Sequence, residues 1–310
     1  MANTVVIGVV FVDVKGFPFQ KYDPQGRNLG TVKIVHGGVS RNVAENFANV
    51  GMPVSFVSMM EDSAIGRDVA RHLSNAGVDL SHCAETGENG LGMWLVILDE
   101  QGNLAGSISR APDMEVLENY VMLHAEEIIA GAENVVLEID LNERIAAKAL
   151  ELAERCGKQV FSIVGNMSVI LAHPEYLQRV ACFICNEIEA GRLFGRDLTS
   201  ATPEEMAAIL PEEARSRGIR SMVVTMGAAG SVYFDGEHCG ICPICPTEVV
   251  DTSGAGDAFF SGTVMGLTRG LPLEEAVHYG ARLASMTIAG TENSCPVCPD
   301  FFHRQLSMFD

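Results

Sequence analysis

Asp251-Thr252-Ser253-Gly254-Ala255-Gly256-Asp257-Ala258-Phe259-Phe260-Ser261-Gly262 decides how this chain is read. A short β-prone run, residues 247–250, precedes it, and an apolar stretch of helical character, residues 258–267, follows. The glycines are therefore expected where a strand ends and a helix begins. A helix start leaves unpaired backbone N–H groups and a partial positive charge, and glycines let the backbone close around an anion. Gly254, Ala255 and Gly256 would supply that anion hole, with Asp257 in the first helical turn facing whatever it holds. A carboxylate there is a poor phosphate ligand but a sensible base for an alcohol attacking a phosphoryl group. A plain Gly-rich turn with an ordinary first-turn Asp would account for GxGD alone, not for all twelve residues. No Gly-Lys-Ser/Thr follows, so this is not a Walker A loop.

The rest of the chain is set out as an α/β protein. Residues 4–12 are a continuous apolar, β-branched run, read as one central parallel strand with Asp13 at its carboxyl end, where open α/β sheets bind ligands. Residues 17–35, 92–98 and 104–109 read as short antiparallel strands outside the main sheet, together a small sheet over the active site. In His36–Gly51, Val43, Phe47 and Val50 form an apolar helical stripe, and Asn42, Glu45, Asn46 and Asn49 a polar one. Asn49 is expected on a solvated face. Asn42 stands in the first helical turn after the Gly37-Gly38 loop, and an amide beside free N–H groups suits a polyol ring. From residue 134 strands and helices alternate, which argues a doubly wound, mostly parallel sheet with helices on both faces. Asn186-x-x-Glu189 leaves a strand and enters a helix; Thr225, Gly227 and Gly230 fit a strand–turn facing a nucleotide. The last long helix is rich in small residues, among them Ala276, Gly280, Ala281 and Ala284, which either permit close helix packing or leave a slot for a flat purine.

Composition narrows the partners. A formal net charge of −19 over 310 residues argues against a nucleic-acid or anionic-membrane binder, while leaving room for a local phosphate site. No apolar run reaches membrane length and the N-terminal residues lack a basic leader, so a cytoplasmic protein is expected. Five of the nine cysteines cluster: Cys239, Cys242 and Cys245 as CxxCxxC, Cys295 and Cys298 as CxxC. Such spacings can hold zinc or an iron–sulfur cluster. Interleaved prolines (Pro243, Pro246, Pro296, Pro299) and the lack of a surrounding cysteine-rich domain favour inert thiols, and both readings stay open.

The twelve-residue stretch resembles the C-terminal signature of the PfkB/ribokinase family of sugar and nucleoside kinases, and residues 36–51 resemble its N-terminal signature. The two stand in the right order more than 200 residues apart. The resemblance implies a ribokinase-like fold, with residues 1–310 as one kinase domain and a β-lid from approximately 14–36 and 91–111 that often forms a dimer contact. It implies ATP and Mg²⁺, with Asn186 and Glu189 positioning phosphate and metal, Glu189 acting through water. Asp13, Gly37, Gly38, Arg41 and Asn42 would hold the acceptor. Asn186, Thr225, Gly227, Gly230, Ala281 and Ala284 would meet the nucleotide, and Asp251 and Ser253 a monovalent cation such as K⁺. The wording Gly-Gly-Val-Ser-Arg-Asn-Val-Ala-Glu-Asn looks most like that of pseudouridine kinases, which implies the 5′-hydroxyl of pseudouridine as acceptor. A ribose- or fructose-type sugar or another nucleoside is the alternative, and a catalytically silent nucleoside sensor is a reading of another class. Asp257, ionised at the helix N-terminus, is expected to be a weak base that takes its proton late.

Overall fold

The computed structural model describes residues 3–303. In chain order it contains β1 (Thr4–Ile7), β2 (Phe11–Pro18), β3 (Gly30–Gly37), α1 (Val39–Asn49), β4 (Val54–Glu61), α2 (Ala64–Ala76), β5 (Cys83–Thr86), β6 (Gly92–Leu98) and β7 (Leu104–Arg110). Then come α3 (Met114–Gly131), β8 (Asn134–Glu138), α4 (Glu143–Arg155), β9 (Gln159–Ile163), α5 (Ser168–Ala172), β10 (Cys182–Asn186), α6 (Glu187–Phe194) and α7 (Pro203–Ser216). The chain continues with β11 (Met222–Thr225), β12 (Ser231–Phe234), β13 (Cys239–Cys242), α8 (Ala255–Thr268) and α9 (Leu273–Ile288). Local chemistry sets the ends. Ser63 Oγ accepts the Gly66 N–H at 3.0 Å to open α2, and Gly77 closes it in the left-handed region (φ 97°). Thr202 and Glu205 form a capping box at the start of α7, with Pro203 in its first turn.

Among the described residues, nine strands form one sheet in the order β13-β12-β11-β10-β9-β8-β1-β4-β5. The seven from β11 to β5 are parallel; β12 and β13 add an antiparallel edge. Side chains alternate across it. Val5, Ile7, Val135 and Leu137 pack with Leu117 and Val121 of α3 and Ala149 of α4. Val6 and Val136 pack with Phe47 of α1, Leu73 of α2, Phe260 of α8 and Val277 of α9. Each such buried Val, Leu or Phe contributes about 1.5–3 kcal/mol by leaving water. The small residues of α9 divide by face. Ala276 and Gly280 sit against α8, where a Cβ on Gly280 would lie 2.7 Å from the Phe259 carbonyl oxygen. Ala281 and Ala284 turn toward a cleft described below.

The apolar run at 4–12 is not one strand. The main sheet keeps only β1, and after Gly8–Val10 the chain enters a second sheet as β2, which puts Asp13 on that second sheet. Glu138, at the end of β8, draws the chain away by accepting the Val9 N–H at 3.3 Å. The β-prone run 247–250 is not a strand either. Ladder pairing stops at Cys242, because Pro243 and Pro246 carry no N–H, and the segment instead runs beside the end of α9, Val250 N–H donating to the Ile288 carbonyl at 2.8 Å.

The second sheet has the order β3-β2-β6-β7. Its register divides the side chains: Lys15 lies opposite Lys33, and Asp13 opposite Val35 and Trp94, on one face. Val14, Ile34, Leu95 and Ile108 form a row on the other, with Ile34 59% and Ile108 70% exposed. Among the described residues no helix is long and apolar enough to cross a membrane.

Candidate active site

The loop at 251–254 turns tightly into α8. Gly254 is its N-cap at φ 76°, and a Cβ there would lie 2.1 Å from the Asn293 carbonyl oxygen, so only glycine fits. Ala255, Gly256 and Asp257 are the first three helical residues; the Ala255 N–H reaches the Thr252 carbonyl at 3.3 Å, while those of Gly256 and Asp257 have no partner one turn back.

Asp257 is held from α1. Asn42 Nδ2 donates to Asp257 Oδ2 at 2.7 Å. The Asn42 amide is itself oriented, because Arg41 Nη1 donates to Asn42 Oδ1 at 2.8 Å. Arg41 Nη2 pairs with Glu45, and the second Glu45 oxygen meets His72 Nε2 at 2.7 Å. Arg41, expected at the acceptor, is only 2% exposed and stands behind Asn42 with both terminal nitrogens engaged. The polar stripe of α1 is buried throughout. Asn46 Nδ2 donates to Ser261 Oγ at 3.2 Å and its Oδ1 accepts the Cys295 N–H at 2.7 Å. Asn49, expected on a solvated face, donates to the Cys295 carbonyl at 2.7 Å.

Asp257 is partly exposed, yet the protein packed around its carboxyl pushes it up to about 7. Burial is the largest cause; the Asn42 hydrogen bond and the Arg41 charge oppose it, and Glu138 and Glu189 reinforce it. The expectation of a fully ionised base at the helix N-terminus is thereby corrected, because desolvation outweighs the helix end. Glu138 is the residue that sequence reasoning missed. It accepts the Ser40 hydroxyl at 2.8 Å and is likewise pushed by burial to about 7. An acid closing a buried strand, Val135-Val136-Leu137-Glu138, was the available signal. Asp13, on the inner face of the second sheet, is raised by burial against the opposing charge of Lys15.

Beside the loop lies a cleft of about 310 Å³. Thr225, Gly227, Gly230, Ala281 and Ala284 all line it, together with Ala255, Gly256 and the apolar side chains of Ile244, Val249 and Phe259. The cleft is mostly apolar at one end and reaches the α8 N-terminus at the other, which suits a flat base joined to a chain of phosphates. Asn186 is not part of the lining. It forms a capping box with Glu189: Asn186 Oδ1 accepts the Glu189 N–H at 2.9 Å, and Glu189 Oε2 accepts the Asn186 N–H at 2.8 Å.

The family model for pfkB family carbohydrate kinases matches residues 1–296. The chain belongs to the pfkB family of carbohydrate kinases. It is an ATP-dependent kinase of the nucleoside and sugar class. The chain is 35% identical over 298 residues to the guanosine-inosine kinase of Exiguobacterium acetylicum, covering 94% of this chain and 96% of that protein. It is 26% identical over 291 residues to the pseudouridine kinase of Escherichia coli K12, covering 92% and 90%. The structure of Arabidopsis thaliana ribokinase complexed with ribose and ATP matches with a TM-score of 0.81 at 23% identity, over 97% of this chain and 96% of that one. The ribokinase-like fold expected from the two signatures is thus the fold of this kinase.

The remaining candidate ligands of this kinase are distributed as follows. Burial raises the Glu189 carboxyl and the neighbouring Asp140 and Glu187 charges add to this, against the Asn186 N–H bond and the Arg192 charge. Ser253 N–H donates to Asp251 Oδ1 at 2.9 Å, and Lys15 Nζ donates to Ser253 Oγ at 3.3 Å. Burial would raise Asp251, but the Ser253 hydrogen bonds and the charges of Lys15 and Lys33 hold it below its usual value. The five clustered cysteines do not come together. Cys239 and Cys242 lie on β13, Cys242 Sγ 3.4 Å from His278 Nδ1, whereas Cys295 is tied to α1. Among the described residues no three His, Cys, Asp or Glu side chains converge to hold a metal, and burial pushes the Cys242 and Cys295 thiols up to about 12. Cys242 and Cys245 instead form part of the cleft wall.

Proposed function

We propose that this kinase transfers a phosphoryl group from ATP to the 5′-hydroxyl of a nucleoside. The observation that carries the chemistry is Asp257, in the first turn of α8 beneath the cleft, with one carboxylate oxygen fixed by Asn42. Its other oxygen is left to take the hydroxyl proton. A base near 7 carries out that task at neutral pH more effectively than an ordinary carboxylate. The N–H groups of Ala255, Gly256 and Asp257 stabilise charge on the transferring phosphoryl group. Asp13 and Gly38 hold the acceptor from the side of the second sheet, with Glu138 opposite; Arg41 and Asn42 act on the acceptor through Asp257. Asn186 and Glu189 stand where Mg²⁺ would be held through water; when bound it neutralises phosphate charge. Asp251 and Ser253 are the candidate monovalent-cation ligands.

The extended similarity to a guanosine-inosine kinase favours guanosine and inosine as acceptors, ahead of the pseudouridine that the N-terminal signature suggests. ATP-dependent ADP release over guanosine, inosine, pseudouridine, uridine, adenosine, ribose and fructose tests this. A highest kcat/KM for a purine nucleoside supports the reading, one for pseudouridine moves the acceptor to the C-nucleoside, and one for a free sugar overturns it. The apolar row of half-buried Val14 with exposed Ile34, Leu95 and Ile108 is the surface proposed for a homodimer through the β-lid. Light scattering that gives a monomer for both the wild type and Ile34→Asp rejects it.

A further inference from the structure

The second sheet carries two lysines, Lys15 and Lys33, side by side on one face. The chain has five lysines against a net charge of −19, and three of them (Lys15, Lys21 and Lys33) fall between residues 15 and 33. Lys15 and Lys33 are direct register partners on β2 and β3, so their side chains leave the same face of the sheet. Asp13 lies two residues from Lys15 on that face. Lys33 Nζ rests 5.6 Å from the Phe17 ring centroid. Lys15 reaches further: its ammonium donates to Ser253 Oγ at 3.3 Å, across 238 residues of sequence. Ser253 directly precedes Gly254, the N-cap of α8, and Asp257 stands four residues beyond it.

We infer that Lys15 is a catalytic residue, the cation that the lid places on the transferring phosphoryl group beside the α8 N-terminus. This rests on the proposed role of Asp257 as base. Phosphoryl transfer spreads charge over three equatorial oxygens, and the α8 N–H groups reach them from one side only. The cation nearest Asp257, Arg41, is buried and engaged with Glu45 and Asn42. Ser253 Oγ is a neutral acceptor at a long distance, a contact that costs little to exchange for a phosphoryl oxygen. The flexible four-carbon stem of lysine allows that exchange without moving the strand. Asp13 on the same strand face then ties acceptor and phosphoryl contacts to one rigid element.

The test compares Lys15→Met, Lys15→Gln and Lys15→Arg with Asp257→Asn, after thermal melts establish that each variant is folded. Met and Gln variants are expected to lose about 100-fold or more in kcat, with both KM values within about threefold of wild type. Lys15→Arg is expected to recover most of that loss. Gln can still donate to Ser253 without charge, so near-wild-type turnover of Lys15→Gln shows Lys15 to be a latch and overturns the inference. A loss confined to KM overturns it too, since it marks ground-state binding. Full turnover by Asp257→Asn would instead remove the reading of the base beneath it.

Discussion

Removing the Asn42 amide should shift the pH at which this kinase turns on. Asn42→Ala deletes the 2.7 Å bond to Asp257 Oδ2, a bond that stabilises only the ionised carboxyl. Hydrogen bonds to charged groups contribute roughly 1.5–3 kcal/mol, and each pKa unit is 1.36 kcal/mol, so the Asp257 transition should rise by about one to two pH units. Around that carboxyl Arg41 opposes the rise, while Glu138 and Glu189 reinforce it. Wild-type Asp257 sits at about 7, so the variant should be impaired at neutral pH and recover toward alkaline pH. The profile of kcat/KM for the nucleoside against pH is the appropriate assay, because it reports groups of the free enzyme. An acid limb that stays in place, with activity reduced by the same factor at every pH, refutes the reasoning. It would return Asn42 to the acceptor, where the sequence alone places it.

Two further outcomes follow from the same geometry. Asp257 rises on folding from 3.8 to about 7, so the folded state binds its proton more tightly and loses stability as pH climbs through that range, by at most about 4 kcal/mol. Asp257→Asn should therefore gain in melting temperature over wild type as pH goes from 5 to 8.5; an equal gap at both refutes the burial argument. Ala284→Leu should intrude on the nucleotide cleft and raise the KM for ATP about tenfold or more with kcat retained, whereas Ala276→Leu should overpack α8 against α9 and cost about 1–3 kcal/mol of stability with KM unchanged. Equal effects of the two on KM, measured by steady-state kinetics and thermal melts, contradict the division of α9 into two faces.

What could be read from the sequence was the chemistry whose parts are adjacent. The anion loop and its base lie within twelve residues, and strand and helix periods declare themselves over short windows. What escaped was set by partners far along the chain. The stripe of α1 looks like a solvated helix face until Asp257, Ser261 and Cys295, more than 200 residues away, supply its hydrogen bonds. The break after β1 has no local cause, since the carboxylate that draws Val9 aside belongs to Glu138. Cysteine spacing is a local signal too, and it left two readings open: CxxC fixes separation along the chain, whereas coordination needs convergence in space.

The division into two sheets has a consequence for how such an enzyme can change. The proposed base Asp257 and the α8 N-terminus hang on a helix of the large sheet, tied to the buried polar side chains of α1, so single substitutions there are costly. Asp13 hangs on the small sheet beside the proposed cation Lys15, but the flanking strands β3 and β7 carry many exposed positions with neither role. Selection can therefore redraw the outline of the acceptor while the reaction stays fixed. A lineage built this way diversifies by substrate long before it loses its chemistry, which is why the reaction is written plainly in this chain and the acceptor is not.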